Sequence, residues 1–122
     1  MPNTHEITIA LVKDQHGEHA IPRIPDPGAM QVGDTVHYVS SDGELRVVFP
    51  AERSTANDET PCQGGSPFKG GTLEVIGSQS LTLERGGLFE CRCFLTLKDG
   101  REVKWDQRTN PQSGGVHDIQ PH

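Results

Sequence analysis

Apolar and polar residues alternate along much of this 122-residue chain, as they do in strands that bury one face. Residues 5–13 are the first example, with Ile7, Ile9 and Leu11 on one side. The same pattern predicts further short strands at 34–40, 44–50, 72–76, 79–84, 88–97, 102–106 and 116–119. No segment longer than a turn or two has the period of a helix. We therefore predict an all-β fold, an antiparallel sandwich or small barrel of about seven or eight strands.

The clearest predicted strand spans 88–97. One of its faces carries Phe89, Cys91, Cys93, Leu95 and Leu97, and the other carries Glu90, Arg92, Phe94 and Thr96. The dipeptide Asp99-Gly100 follows this strand and tolerates the positive φ of the favoured two-residue turns. It therefore predicts a hairpin that returns through 102–106.

Three segments lack any strand pattern. Residues 14–34 contain several prolines and glycines, which predicts turns and an irregular edge. Residues 50–71 have no periodicity and predict a long loop, and 107–115 predict another. Because loops at the ends of sandwiches carry recognition, we expect the working surface at the 50–71 loop together with the 98–115 end.

The composition indicates one small domain, covering 1–122. Eleven Lys and Arg against 17 Asp and Glu give a net charge of −6, and the basic residues are scattered, which disfavours nucleic acid as a partner. No apolar run approaches the ~20 residues of a membrane span. The segment 1–6 lacks the basic and apolar regions of an export signal, so we expect a soluble, cytoplasmic protein. A periplasmic location after removal of a leader is the alternative.

Four segments together resemble the cupredoxin family, the small Greek-key sandwiches typified by plastocyanin. The segment 32–39, VGDTVHYV, resembles the family's V-x-G-D-x-V strand entry, and 45–49, LRVVF, resembles its H-N-V-x-F strand. Ser66-Pro67-Phe68 with Gly70-Gly71 resembles the loop before the next strand. The segment 87–93, GLFECRC, resembles G-x-Y-x-[YF]-x-C, which carries the copper thiolate. This resemblance implies a cupredoxin-like Greek-key sandwich.

The resemblance does not extend to the blue-copper ligands. A type-1 site needs two imidazoles, a thiolate and a long axial thioether. Cys93 falls on the thiolate position, but Leu45 falls where the first imidazole belongs. The second His and the axial Met are missing after Cys93, where a predicted hairpin over 94–106 replaces the ligand loop and its Trp105 could cap the former site. We therefore expect no cofactor and no type-1 copper.

Two groups of residues offer an alternative metal or redox chemistry. Cys91 and Cys93 share one strand face and could form a thiolate clip with Cys62 or a histidine, or they could be small buried core residues. One bridge from Cys62 to either of the other two cysteines is also open. His16 and His19 could bind a transition metal at the surface, although Gly17 between them favours adventitious binding. We expect His117 to lie at a fraying end.

The sequence carries no catalytic grouping that we can identify. It has no Gly-x-Ser-x-Gly elbow, and the outward Arg46 and Arg92 could share an anion-binding face or pair with neighbouring acids. We expect a binding or interaction module, for an unknown protein or small-molecule partner, without a blue-copper site. The alternative is a redox or soft-metal protein that binds Cu(I) or Zn(II) through Cys93 with Cys91, Cys62 or a nearby His. Edge strands could also pair two copies into a homodimer.

Overall fold

A computed structural model describes residues 2–15, 17–26, 28–56, 60–105 and 116–121. Apart from a short 3-10 turn at Lys69–Gly71, the regular structure within these ranges is strand. The strands are β1 (Thr4–Asp14), β2 (Gly17–Pro22), β3 (Met30–Gln31), β4 (Thr35–Val39), β5 (Glu44–Val48), β6 (Ser54–Ala56), β7 (Thr60–Cys62), β8 (Glu74–Ile76), β9 (Gln79–Thr82), β10 (Gly87–Glu90), β11 (Arg92–Thr96), β12 (Glu102–Trp105) and β13 (Val116–Gln120). The described residues include no helix long and apolar enough to cross a membrane.

The first layer is a four-stranded sheet in the order β2-β1-β4-β9. β1 runs antiparallel to β2 and parallel to β4, and β9 is antiparallel to β4. Alternation along β1 and β4 turns Ile7, Ile9, Val36 and Tyr38 to one side, where all four are fully buried. The predicted strands over 5–13 and 34–40 are confirmed.

The second layer consists of the sheet β12-β11-β5-β8 and the smaller sheet β10-β13-β3. β11 pairs antiparallel with β5 and places Cys93 opposite Val47 and Leu95 opposite Leu45. β10 pairs antiparallel with β13. The chain passes from β10 to β11 through Cys91, so the predicted strand over 88–97 forms but is divided between two sheets.

The hydrophobic core lies between these layers, which confirms an all-β sandwich. Its apolar residues come from both layers and form one cluster. Four large aromatic side chains fill its centre, namely Tyr38, Phe49, Phe68 and Phe89. Phe68 stands edge-on to Tyr38 with ring centroids 6.0 Å apart and to Phe49 at 5.4 Å.

A buried carboxylate fixes the start of β1 against β4. Asp34 is fully buried and accepts hydrogen bonds from the backbone N–H of Asn3 at 3.0 Å and of Gln31 at 3.2 Å. It also bonds to Nε2 of His5 at 2.8 Å. Burial acts to raise the pKa of Asp34, but the hydrogen bonds from Asn3, His5 and Gln31 outweigh it and leave this pKa below its usual value.

Two segments predicted as irregular contain strands. Within 14–34 the chain forms β2, which pairs with β1 over six residues, and the short β3. Pro22 is tolerated because it is the last residue of a strand at the sheet edge. Within 50–71 the chain forms the short hairpin β6–β7. In both segments, pairing with another strand therefore outweighs the local turn signals.

Two further details differ from the sequence prediction. The turn after β11 has three residues, 98–100, rather than the predicted two. A hydrogen bond from the Leu97 N–H to the Arg101 carbonyl at 2.8 Å closes it, and Gly100 takes a φ of 88°. Glu90, predicted to face outward, is buried at 1% exposure. β7 packs against β10 at this point, and Gln63 N–H donates to the Leu88 carbonyl at 2.8 Å.

Candidate functional site

The position where the resemblance would place a copper centre lies inside the core. Leu45 is 3% exposed and Cys93 is fully buried, and both project from the inner face of their sheet. Leu45 lies opposite Leu95, and Cys93 lies opposite Val47. Among the described residues, no group of three or more His, Cys, Asp and Glu side chains is arranged to hold a metal ion.

Cys91 and Cys93 are free thiols, and all three cysteines are buried. The Sγ atoms of Cys91 and Cys93 are 3.9 Å apart, which is a sulfur contact and not a disulfide bond. The hydrogen bond with Cys93, and then burial, raise the pKa of Cys91 well above its ordinary value. Since the thiolate is the nucleophile and the metal ligand, this environment makes Cys91 unreactive.

A buried histidine completes this cluster. His117 on β13 is fully buried, and its Nε2 atom is hydrogen-bonded to the Tyr38 hydroxyl at 2.8 Å. Its ring stands edge-on to that of Phe49 at 5.2 Å. Nδ1 of His117 has no hydrogen-bond partner within the described chain, yet the imidazole lies near enough to Cys91 to oppose the rise of that thiol's pKa. We name Tyr38, His117, Cys91 and Cys93 the core polar cluster.

The sequence interpretation of His117 as part of a fraying end is wrong. β13 pairs with both β10 and β3, which holds its side chains in the core. The signal was present in the alternation of 116–119, because His117 shares a strand face with Ile119. A polar residue on the apolar face of a predicted strand therefore indicates a buried polar group, whereas one on the outer face indicates only exposure to solvent.

The core polar cluster is closed to solvent. Burial, and then the nearby Cys91 and Cys93, raise the pKa of Tyr38 well above its ordinary value, so the phenol stays neutral. The cluster thus contains a neutral phenol, a thiol pair and an imidazole within an aromatic shell. These groups can form hydrogen bonds with one another. They offer no path for a substrate, and their arrangement is typical of a structural network.

The surface histidines proposed as metal ligands are only partly described. His16 lies outside the described residues. His19 is half-buried on β2, opposite Val12. The pair His16 and His19 therefore stays a prediction.

An open cleft lies at one end of the second layer. Its volume is about 470 Å³, and it is lined by Ser40, Ser41, Gly43 and Glu44 on one side and by Thr96, Leu97 and Lys98 on the other. The two sides approach closely, because a Cβ atom at Gly43 would lie 2.4 Å from the Thr96 carbonyl oxygen. A side chain at position 43 would force the walls apart.

Of the expected working surface at 50–71 and 98–115, the structure separates the turn at 98–100 from the 50–71 segment. The turn at 98–100 lies beside the Glu44 end of β5, whereas the 50–71 segment begins beyond the Val48 end of that strand. The remainder, 106–115, is outside the described residues. The cleft and the β6–β7 hairpin are therefore separate surfaces.

The outer face of the sheet β12-β11-β5-β8 is organised around Arg46. Its guanidinium lies 4.2 Å from the centre of the Phe94 ring and 4.0 Å from a carboxylate oxygen of both Glu74 and Glu102. Arg46 therefore pairs with acids on both edge strands of this sheet. Charge on this face is largely compensated, which disfavours the anion-binding interpretation.

Comparison of the chain with protein families, with curated proteins and with solved structures gave no match.

Proposed function

We propose that this chain is a cupredoxin-like sandwich without a type-1 copper site and that it works as a binding or interaction module. The burial of the four motif-bearing segments in one core supports the likeness. Val36, Val47, Phe68 and Cys93 each contribute one fully buried side chain from a different segment. Residues spread over 32–93 thus share one core, which is compatible with the likeness.

The observation that carries the proposal is the environment of Leu45. A hydrocarbon side chain, packed opposite Leu95 in the core, stands at the position that would need a nitrogen donor. An alkyl group cannot coordinate copper, and the described residues hold no cluster that replaces it. A rigid sandwich with peripheral surfaces and a closed interior is suited to recognition.

A redox or soft-metal role is the second candidate. The 3.9 Å separation of the Cys91 and Cys93 sulfurs favours it, because two thiolates at this distance could clasp Cu(I). The burial of Cys62, Cys91 and Cys93 weighs against it, since metal or redox work requires accessible thiols of low pKa. The interaction module is therefore the better-supported function.

Metal titration separates the two candidates. Reduced protein is mixed with Cu(I) or Zn(II), passed over a chelating resin and weighed by native mass spectrometry. An interaction module retains no stoichiometric metal, and Cu(II) produces no intense blue absorption. Stoichiometric Cu(I) that survives the chelator and is lost in Cys93→Ser, but not in Cys62→Ser, would establish the soft-metal function instead.

A further inference from the structure

β8 is an edge strand, and among the described residues its outward backbone groups pair with no other strand. The carbonyl of Leu73 and the N–H of Gly77 both bond to β5, at 2.8 and 3.0 Å. Because backbone groups alternate in direction along an antiparallel strand, those of Glu74 and Ile76 point away from β5. The side-chain Nε2 of Gln79 donates to the Ile76 carbonyl at 3.0 Å, so a strand added at this edge has to displace that side chain.

This edge also exposes apolar side chains. Leu73 is 39% and Ile76 60% exposed, and they are the large hydrophobic residues found exposed in the described part of the chain. Natural edge strands are protected by charged side chains, lysine above all, by proline, by a bulge or by being very short. β8 has one charged residue, Glu74, and is three residues long. The segment 72–78, TLEVIGS, contains no lysine or proline. At the opposite edge of the same sheet, β12 packs against β2.

The charges next to this edge favour a basic occupant. Glu74 lies at this edge with a side chain that is 46% exposed, and Arg46 approaches its carboxylate only to 4.0 Å. β9, which follows β8, is uncharged, and the whole chain carries −6. A basic side chain opposite Glu74 on an added strand would compensate this charge.

A second copy of the chain fits the edge less well. If two β8 strands paired antiparallel through their outward backbone groups, the residue opposite Glu74 would be Glu74, Ile76 or Ser78 of the other copy, depending on register. None of these is basic. Two chains of charge −6 also repel each other.

We propose that β8 binds an extended peptide segment of a partner protein by antiparallel strand addition. The partner segment has the pattern apolar-any-basic-apolar. Its first apolar residue lies opposite Ile76, its Lys or Arg opposite Glu74, and its second apolar residue opposite Leu73. Backbone hydrogen bonds to Glu74 and Ile76 provide affinity, and the alternate side chains provide specificity. This inference rests on the proposed interaction function and names its surface and the chemistry of its partner.

The probe is a fluorescein-labelled, end-blocked peptide, Thr-Ile-Thr-Lys-Val-Thr, whose binding to the full chain is followed by fluorescence anisotropy. We expect saturable binding below about 1 mM protein. A peptide with Glu in place of Lys should bind at least about tenfold more weakly, because it meets Glu74 with a like charge. A peptide N-methylated at the Ile and Lys amides should not bind, because it lacks the donors of the ladder.

Protein variants locate the binding strand. Ile76→Pro removes an outward N–H without removing a bond to β5, and Ile76→Lys adds a charge at the exposed edge. We expect each variant to weaken binding at least about tenfold. Thr96→Lys adds the same charge to the outer face of β11 and should leave affinity unchanged. Glu74→Gln should remove the preference for Lys over Glu, and far-UV circular dichroism verifies that each variant is folded.

Three outcomes would overturn the inference. The first is no saturable binding of the Lys peptide to the folded wild-type chain. The second is binding that both Ile76 variants leave intact. The third is concentration-dependent dimerisation by sedimentation equilibrium that Ile76→Lys abolishes, in the absence of peptide binding, which would identify a second copy as the occupant. Failure here leaves the metal titration unaffected, so the two proposals are tested separately.

Discussion

The hydrogen bond between Tyr38 and His117 makes a specific prediction about stability. Tyr38→Phe removes one buried hydroxyl and no core hydrocarbon, and it leaves Nε2 of His117 without its partner at 2.8 Å. Nδ1 of the same ring already has no partner among the described residues, so the variant would bury an imidazole with neither nitrogen satisfied. Such an unsatisfied polar group costs about 1–3 kcal/mol.

We expect Tyr38→Phe to lower the free energy of unfolding by about 2 kcal/mol. For a chain of this size, that loss corresponds to a decrease in Tm of roughly 6–10 °C. Urea unfolding followed by far-UV circular dichroism measures the difference, and an unchanged m-value would show that the folded and unfolded states expose the same surface as before.

A double-mutant cycle with His117→Leu identifies the cause. In that background Tyr38 has lost its partner, so Tyr38→Phe should be neutral or stabilising. The coupling energy should therefore be about as large as the loss in the wild-type background. Equal destabilisation by Tyr38→Phe in both backgrounds would refute the hydrogen bond as the source of the effect.

Three further predictions concern the thiols, Asp34 and Gly43. In native reduced protein at pH 8, Cys91 should react with Ellman's reagent only as fast as the chain unfolds, because its pKa is raised by Cys93 and by burial; rapid stoichiometric labelling would contradict this. The lowered pKa of Asp34 stabilises the fold fully above about pH 3.8, and this contribution is lost as pH falls through the folded-state pKa. The free energy of unfolding of the wild-type chain, measured by urea titration, should therefore exceed that of Asp34→Asn by less in acid than at neutral pH. An advantage that grows in acid would show the opposite linkage. Gly43→Val should lower Tm, because its Cβ would lie 2.4 Å from the Thr96 carbonyl oxygen; an unchanged Tm would argue against crowding.

Much of the fold could be predicted from the sequence, because alternation reports burial directly. The positions of Ile7, Val36 and Val47 follow from period two, and each is fully buried. Pairing partners do not follow in this way. β1 pairs with β4 about thirty residues away along the chain, and nothing in either segment specifies that neighbour.

The candidate site was predicted only in part, for the same reason. The inward faces of Cys91 and Cys93 follow from strand alternation, but the interaction of Cys91 with His117 depends on a strand that begins more than twenty residues later. The alternation of its own strand predicts Glu90 outside, whereas the structure buries it where β7 packs beside β10. Sequence pattern shows which face of an element is apolar, whereas tertiary packing decides which polar residues it also encloses.

The division of one continuous strand between two sheets at Cys91 has a mechanical consequence. β10 and β11 are joined end to end through Cys91 and belong to different sheets of the second layer. One sheet therefore cannot slide past the other without stretching the backbone at Cys91. Deformation should therefore be confined to loops, and amide exchange on both sides of Cys91 should report a single opening event.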